Sequence, residues 1–275
     1  MSKVWFITGT SKGFGRIWAE AALERGDRVA ATARDPQTLD DLVERYGDAV
    51  LPQQLDVTDR ARATAAVRQA HAHFGRLDMV VNNAGYGLFG MIEEITEAQA
   101  RAQMETNLFG ALWVTQAALP LLREQGSGHI IQVSSIAGVQ AFPGLGLYHA
   151  SKWALEGFSQ SLAAEVKDLG IQLTIVEPTG YPTDWSGPSS VVAEPIEIYE
   201  PIREARRANR SRWAPADPQA TGPAILQLVD AEQPPLRVFF GETPLSIIEP
   251  EYAKRLEEWH SWQWLAELAN GKVTA

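Results

Sequence analysis

Short apolar runs alternate with helical patterns from the beginning of the chain. KVWFIT (3–8) is followed by GTSKGFG (9–15) and then by AEAALERG, a helical stretch that stops at Gly26. RVAATA (28–33) is the next strand candidate. Asp35-Pro36 has the form of an N-cap followed by proline at the first helical position, and Leu39 with Leu42-Val43 continues that helix on one face. The rhythm repeats through AVLPQQLDV (49–57) and a helix near 59–73, then LDMVVNN (77–83) and a long helix near 97–123. HIIQVSS (129–135) precedes a helix carrying Tyr148 and Lys152, and IQLTIVEP (171–178) ends at a proline that closes a strand. Strands alternating with helices of this length predict parallel βαβ units. With LRVFFG (236–241), they make an α/β chain with a doubly wound, mostly parallel seven-stranded sheet and helices on both faces.

After residue 178 the rhythm breaks. YPTDWSGPSSVVAEP (181–195) is rich in Pro, Gly and Ser and predicts a long irregular connection, the kind of segment that often serves as a lid or binding loop. Helical patterns follow near 196–210 and 217–231. In the last stretch Tyr252, Leu256, Trp259, Trp262 and Leu265 recur at three- and four-residue steps, which predicts an amphipathic helix. The expected organisation is one domain over 1–275, with a substrate loop at 181–213 and a C-terminal helical extension at 242–275.

Composition narrows the chemistry. The chain has 275 residues, 45% of them hydrophobic, and a net charge of -10. That balance argues against a general nucleic-acid or anionic-membrane surface, since both need basic patches. With no cysteine, disulfides, thiolate metal ligation and cysteine nucleophiles are excluded. The first residues hold too short an apolar run for a signal peptide, and no run approaches the length of a spanning helix. A soluble, cytoplasmic protein is expected. His71 and His73 face apart on a helix, so no metal site is expected there.

Between the first strand and the first helix, Gly9, Gly13 and Gly15 are spaced to allow a tight turn and close approach of backbone to a pyrophosphate. At the end of the second strand, an acidic residue would favour NAD and an arginine NADP. Here Arg34 and Lys12 are placed to meet a 2′-phosphate, while Asp35 is accounted for by capping; NADP(H) is favoured over NAD(H).

Tyr148 and Lys152 stand four apart on one helical face. A phenol with its ordinary pKa of about 10 is a poor base at neutral pH. A cation at ~4 Å contributes ~4 kcal/mol at an effective dielectric of about 20, so Lys152 is expected to depress the Tyr148 pKa. The spacing alone also describes any helix with a surface lysine.

Taken in order, TGTSKGFG (8–15), LDV (55–57), NNAG (82–85), NLFG (107–110), VSS (133–135) and YHASK (148–152) resemble the short-chain dehydrogenases/reductases, over residues 4 to about 185. The resemblance implies a Rossmann fold and the catalytic set Asn107, Ser135, Tyr148 and Lys152, with Ser135 rather than Ser134 holding a substrate carbonyl. It implies cofactor contacts at Gly9, Ser11, Lys12, Gly13, Phe14, Gly15, Arg34, Asp56, Val57, Asn83, Ala84, Gly85, Pro178 and Thr183, besides Tyr148 and Lys152. Two departures stand out: Thr179 where the family has glycine, with Gly180 one position later, and a tail resembling steroid- and retinol-dehydrogenase-like members. Substrate contacts are expected from Ser135, Phe142, Tyr148, Tyr181 and Trp185, with Tyr86, Phe89 and Trp213 as weaker candidates. His149 is given no catalytic role.

The resemblance implies an NADPH-dependent reductase of ketones or aldehydes, or in reverse a secondary-alcohol dehydrogenase, acting on a bulky hydrophobic small molecule. The assembly expected is a monomer or homodimer rather than a tetramer. A non-catalytic NADP(H)-binding sensor would be marked by loss of a catalytic side chain, and all four are present. An epimerase or dehydratase fits less well with the spacing Gly9-x-x-x-Gly13-x-Gly15 and the modest C-terminal part.

Overall fold

The computed structural model describes residues 2–183, 185, 187, 189–210 and 216–271, with the side chains of 209 and 210 left aside. Its strands and helices follow in the order β1 (Val4–Ile7), α1 (Gly13–Glu24), β2 (Arg28–Ala33), α2 (Asp40–Tyr46), β3 (Val50–Gln54), α3 (Arg60–Phe74), β4 (Met79–Asn82) and β5 (Leu88–Phe89). After these come α4 (Glu97–Met104), α5 (Gly110–Gln125), β6 (Gly128–Val133), α6 (Gly146–Val166), β7 (Ile171–Pro178) and β8 (Val191–Val192). The chain closes with α7 (Glu200–Arg210), α8 (Thr221–Asp230), β9 (Arg237–Phe240), α9 (Pro244–Ser261) and α10 (Gln263–Ala269).

Seven strands form one sheet in the order β3-β2-β1-β4-β6-β7-β9, every pair parallel. This is the doubly wound α/β architecture of the Rossmann type. β1 and β4 are buried at every position, as strands covered on both faces must be. One apolar core, around Trp5, Trp18 and Val176, lies under α1 and α8; the other, around Phe6, Val80 and Ile130, lies under α3, α5 and α6. The order of winding reverses between β1 and β4, and a crevice opens there at the carboxyl ends of the strands.

Local chemistry explains several boundaries. The Asp35 carboxylate accepts from Gln37 N at 3.1 Å, with Pro36 at the first helical position, but the turn it starts is a tight four-residue one that leads into α2. Thr96 and Gln99 cap α4 reciprocally: Gln99 N donates to Thr96 Oγ1 at 3.2 Å and Thr96 N to Gln99 Oε1 at 3.0 Å.

One expectation is refined and two need correction. The helix expected near 97–123 runs unbroken to Gln125, but with a wide π-type turn over Glu105–Phe109 between α4 and α5. The connection 181–195 contains β8, a two-residue strand paired with β5 and too short for any periodicity to reveal. The C-terminal stripe is the largest difference, because α9 stops at Ser261 and α10 begins at Gln263. Tyr252, Leu256, Trp259, Trp262 and Leu265 are all exposed, Trp259 at 63%. Only the start of the extension packs inward: Ile248 and Ile247 join Ile136, Val139, Phe142 and Phe239 in a small cluster, so it covers edge strand β9 only in part. Periodicity shows that a helix has an apolar face but not that a partner surface exists for it. No described helix is long and apolar enough to cross a membrane.

One buried polar contact makes the fold sensitive to acid. His129 on β6 lies 2.9 Å from Thr174 Oγ1 on β7, and that hydroxyl donates to Pro235 O at 2.7 Å. The hydroxyl proton is therefore committed, His129 Nε2 carries the donating hydrogen, and the ring is neutral. Burial first, and Lys3 second, pull its pKa from 6.5 down to about 4. Below 6.5 an unfolded chain takes up a proton that the folded one refuses, so stability falls as pH drops through the window from 6.5 to about 4. Urea titrations across that window are expected to show His129→Gln losing less stability than the wild type; parallel losses would refute the assignment.

Candidate active site

The crevice is built first from the turn after β1. Gly9 and Gly13 have φ of +71° and +62°, in the left-handed region that side chains avoid. Gly15 answers to space instead: a Cβ there would stand 2.4 Å from Gly9 O and 2.5 Å from Asn83 Nδ2. Asn83, just past β4, donates from Nδ2 to Thr8 O at 2.9 Å and Gly9 O at 3.0 Å. Thr8 Oγ1 in turn accepts from the backbone N–H of Asn83 at 2.9 Å and of Ala84 at 3.0 Å. The ends of β1 and β4 are thereby locked together, and the turn is held open above them. Thr8 was not singled out from the sequence, although it is the first residue of the TGTSKGFG stretch.

A single cavity of about 2180 Å³ runs from this turn to α6. Gly9, Ser11, Lys12, Gly13 and Phe14 line it, as do Arg34, Asp56, Val57, Asn83, Ala84 and Gly85, and further along Pro178 and Thr183. Gly15 lies beneath, as the packing residue. Lys12, at the start of α1, and Arg34, just past β2, both line it. The Asp56 carboxylate is turned to its own loop, accepting from Thr58 N at 3.0 Å and Thr58 Oγ1 at 2.8 Å. The volume of the cavity, the glycine turn in its wall and the two cations in its lining fit an extended, phosphate-bearing dinucleotide.

The displaced glycine after β7 has a structural answer. Gly180 adopts φ +74°, and Thr179 packs over Gly241, where a Cβ would lie 2.9 Å from Thr179 O. The side chain at 179 is accommodated by a second glycine on the neighbouring segment, and Thr179 N still donates to Phe240 O at 3.0 Å.

At the far end, Ser135 and Tyr148 line the cavity with Lys152. Ser135 Oγ accepts from Ala137 N at 3.1 Å and is 3.4 Å from Pro178 O, to which it donates. Tyr148 is only 4% exposed. Lys152 is buried as well, its Nζ donating to Val133 O at 2.7 Å and standing 5.8 Å from the centre of the Tyr148 ring. Asn107 sits in the π-type turn: Oδ1 accepts from Tyr86 N at 3.1 Å, and Nδ2 donates to Tyr86 O at 3.1 Å and Ser151 Oγ at 3.2 Å. It joins α6 to the segment after Gly85 while its own polar atoms are fully engaged.

The electrostatics overturn one expectation. Burial pushes the Tyr148 phenol well above its ordinary value, with Ser135 offsetting part of the rise, instead of Lys152 drawing it down. Lys152 is itself lowered to about 8 by burial, against the opposing pull of Glu156. The estimate from spacing put the pair in a medium of dielectric about 20 at ~4 Å; the protein encloses both groups, and desolvation outweighs their mutual effect.

The aromatic candidates divide. Trp185 lies against Tyr148 with ring centres 4.8 Å apart, and against Phe89 at 5.3 Å. Phe142 lines the cavity and packs on His149. Tyr181 lines it too, but its ring meets Phe14 edge-on at 5.1 Å, on the side of the glycine turn and not of Tyr148. Tyr86 is in the wall; Trp213 lies outside the described residues. His149, given no catalytic role from sequence, is a clasp. Its Nε2 accepts from Phe142 N at 2.8 Å and its Nδ1 donates to Ala137 O at 2.9 Å, fixing the loop before α6. No group of residues able to hold a metal occurs among the described residues.

Comparison with known proteins gives the family. A family model described as short chain dehydrogenase matches residues 3–190. The chain is similar to an oxidoreductase of Botryotinia fuckeliana, BOA17, with 42% identity over 262 residues and 94% of each chain covered. It is also similar to the 3-ketodihydrosphingosine reductase of Bacteroides thetaiotaomicron, at 35% identity over 244 residues, covering 87% of this chain and 88% of that one. Among solved structures, a short-chain dehydrogenase from Streptomyces avermitilis superposes with a TM-score of 0.91 at 37% identity, covering 98% of both chains.

The contact of Trp185 with Tyr148 generates a prediction. Removing the indole loses a polar contact that lowers the Tyr148 pKa but also admits water to the phenol, and desolvation, which raises it, is the larger cause. Trp185→Ala is therefore expected to ionise Tyr148 at lower pH than the parent. The check is the ultraviolet tyrosinate difference between each protein and its Tyr148→Phe counterpart; unchanged curves would refute the role of Trp185 as a cover.

Proposed function

The chain belongs to the short-chain dehydrogenase family, and on that premise we propose that it is an NADP(H)-dependent reductase of bulky ketones or aldehydes. The observation that carries the proposal is one continuous cavity with the glycine turn, Lys12 and Arg34 at one end and Ser135, Tyr148 and Lys152 at the other. When bound, the reduced nicotinamide supplies the hydride. Ser135 Oγ orients the carbonyl oxygen, and Tyr148 Oη gives it a proton. Burial keeps the phenol protonated, the state that reduction starts from, whereas the reverse reaction starts from the phenolate. Lys152 holds the cofactor ribose. Asn107 keeps α6 in register with the Gly85–Tyr86 segment, on the path by which the proton is replaced.

NADP(H) is favoured over NAD(H) because the carboxylate nearest the end of β2, Asp35, is spent on its own turn, leaving Arg34 and Lys12 beside that part of the cavity. Phe142, Leu145, Trp185, Ile202 and Ile247 line the substrate end, and their apolar character suits a bulky hydrophobic carbonyl. The relative named for reduction of 3-ketodihydrosphingosine supports that class.

Turnover is followed by the loss of reduced-nicotinamide absorbance with NADPH or NADH and a panel of bulky ketones. Tyr148→Phe is expected to lose roughly 100-fold or more of the rate, the scale of a lost general acid, while still binding NADPH. Arg34→Ala removes a charge-assisted bond worth about 1.5–3 kcal/mol; it is expected to weaken NADPH binding at least about tenfold and NADH binding much less. Tight NADPH binding with no turnover of any carbonyl would replace the reductase with a cofactor-binding sensor.

A further inference from the structure

Lys152 has a second ionisable neighbour that faces away from the cavity. Glu156 follows it by one turn on α6, and both side chains are buried. From β7, Glu177 meets the same spot and is 1% exposed. From the edge strand β9, Arg237 closes the group: its Nε is 2.9 Å from Glu156 Oε2 and 3.6 Å from Glu177 Oε1, and its Nη2 donates to Gln160 Oε1 at 2.9 Å. Glu156 Oε1 and Glu177 Oε1 are buried without a hydrogen-bond partner. Two carboxylates removed from water and sharing one arginine cannot both stay ionised cheaply, because each raises the cost of the other's charge.

We infer that Glu156 and Glu177 share one proton, held inside by Arg237, and that this pair is a positioning device that maintains the charge of Lys152. The proton belongs on Glu177. Burial first and Glu156 second raise its carboxyl to about 8, with Arg237 opposing. Glu156, bound by Arg237, faces Lys152 from the next turn of α6. The groups that face the lysine are Tyr148 and Glu156 on its own helix, with the neutral Asn107 and Val133 O; Glu177 from β7 and Arg237 from β9 reach it through Glu156. As pH rises past about 8, Glu177 releases its proton to solvent, in the same range where burial brings the Lys152 ammonium to its own limit. The new negative charge adds to that of Glu156, the carboxylate that opposes the loss of the Lys152 proton. The pair thus extends the range over which the lysine stays cationic, at the residue where the proposed reductase needs a cation for the ribose.

The proton-sharing pair rests on two buried carboxylates meeting one arginine and on the raised Glu177 carboxyl; its consequence for turnover rests on the function proposed above, and two measurements separate them. Infrared titration of the whole protein is expected to show a protonated-carboxyl band that persists above the ordinary glutamate value of 4.5 and vanishes near 8. That band is expected to be missing in Glu177→Gln. Arg237→Gln, at a half-exposed position, takes away the opposing charge and is expected to move the titration up by about one pH unit; it also serves should Glu177→Gln fail to fold. Absence of the band in the wild type, or its persistence in Glu177→Gln, overturns the pair. The second measurement is the alkaline limb of kcat/KM, expected to fall about one pH unit lower in Glu177→Gln than in the wild type; a superimposable limb overturns the link to Lys152. A wild type with the infrared band but no turnover would sink the reductase and leave the pair standing.

Discussion

The site depends on one seam, where the carboxyl ends of β1 and β4 meet. Parallel strands leave their last N–H and C=O groups pointing into the crevice, and something must satisfy them. Thr8 and Asn83 do so for each other's backbone, and Asn83 also takes up Gly9 O. That exchange brings Asn83 so close to Gly9 that no side chain fits at position 15. The glycine turn, the start of α1 and the mouth of the cavity all follow from this contact. The reversal of winding on either side keeps helices off the crevice.

The second organising feature is α6, a helix whose reactive face is out of water. Tyr148, Lys152 and Glu156 occur at successive four-residue steps, all buried. In such surroundings a charge is governed by what faces it more than by its intrinsic pKa. Burial lowers the Lys152 pKa and Glu156 opposes that; Arg237 and Glu177 meet Glu156 from two different strands. The helix start is fixed separately by His149, which ties the loop before it to Ala137 and Phe142.

Much of this was legible in the residues. The strand candidates became β1 to β4, β6, β7 and β9 within a few residues, because continuous apolar runs bounded by Gly, Pro and Asp leave little choice in a parallel sheet. The glycine turn, the Asp35 cap and the convergence of Ser135, Tyr148 and Lys152 on one cavity were also visible beforehand. Less legible were features produced by distant segments: the π-type turn around Asn107, the β5–β8 pairing, and Tyr181 lying on Phe14.

The amino-acid sequence by itself determined the alternation of strand and helix, the backbone freedom at Gly9 and Gly13, and the four-residue spacing of Tyr148, Lys152 and Glu156. Those are local properties, set by side-chain pattern, φ and helical pitch. Only the tertiary structure decided the protonation states, the exposure of the C-terminal aromatic stripe, and the meeting of Glu156, Glu177 and Arg237. Residues 81 positions apart in the chain share that last contact. Solvation depends on everything packed around a group, and no spacing along the chain records it.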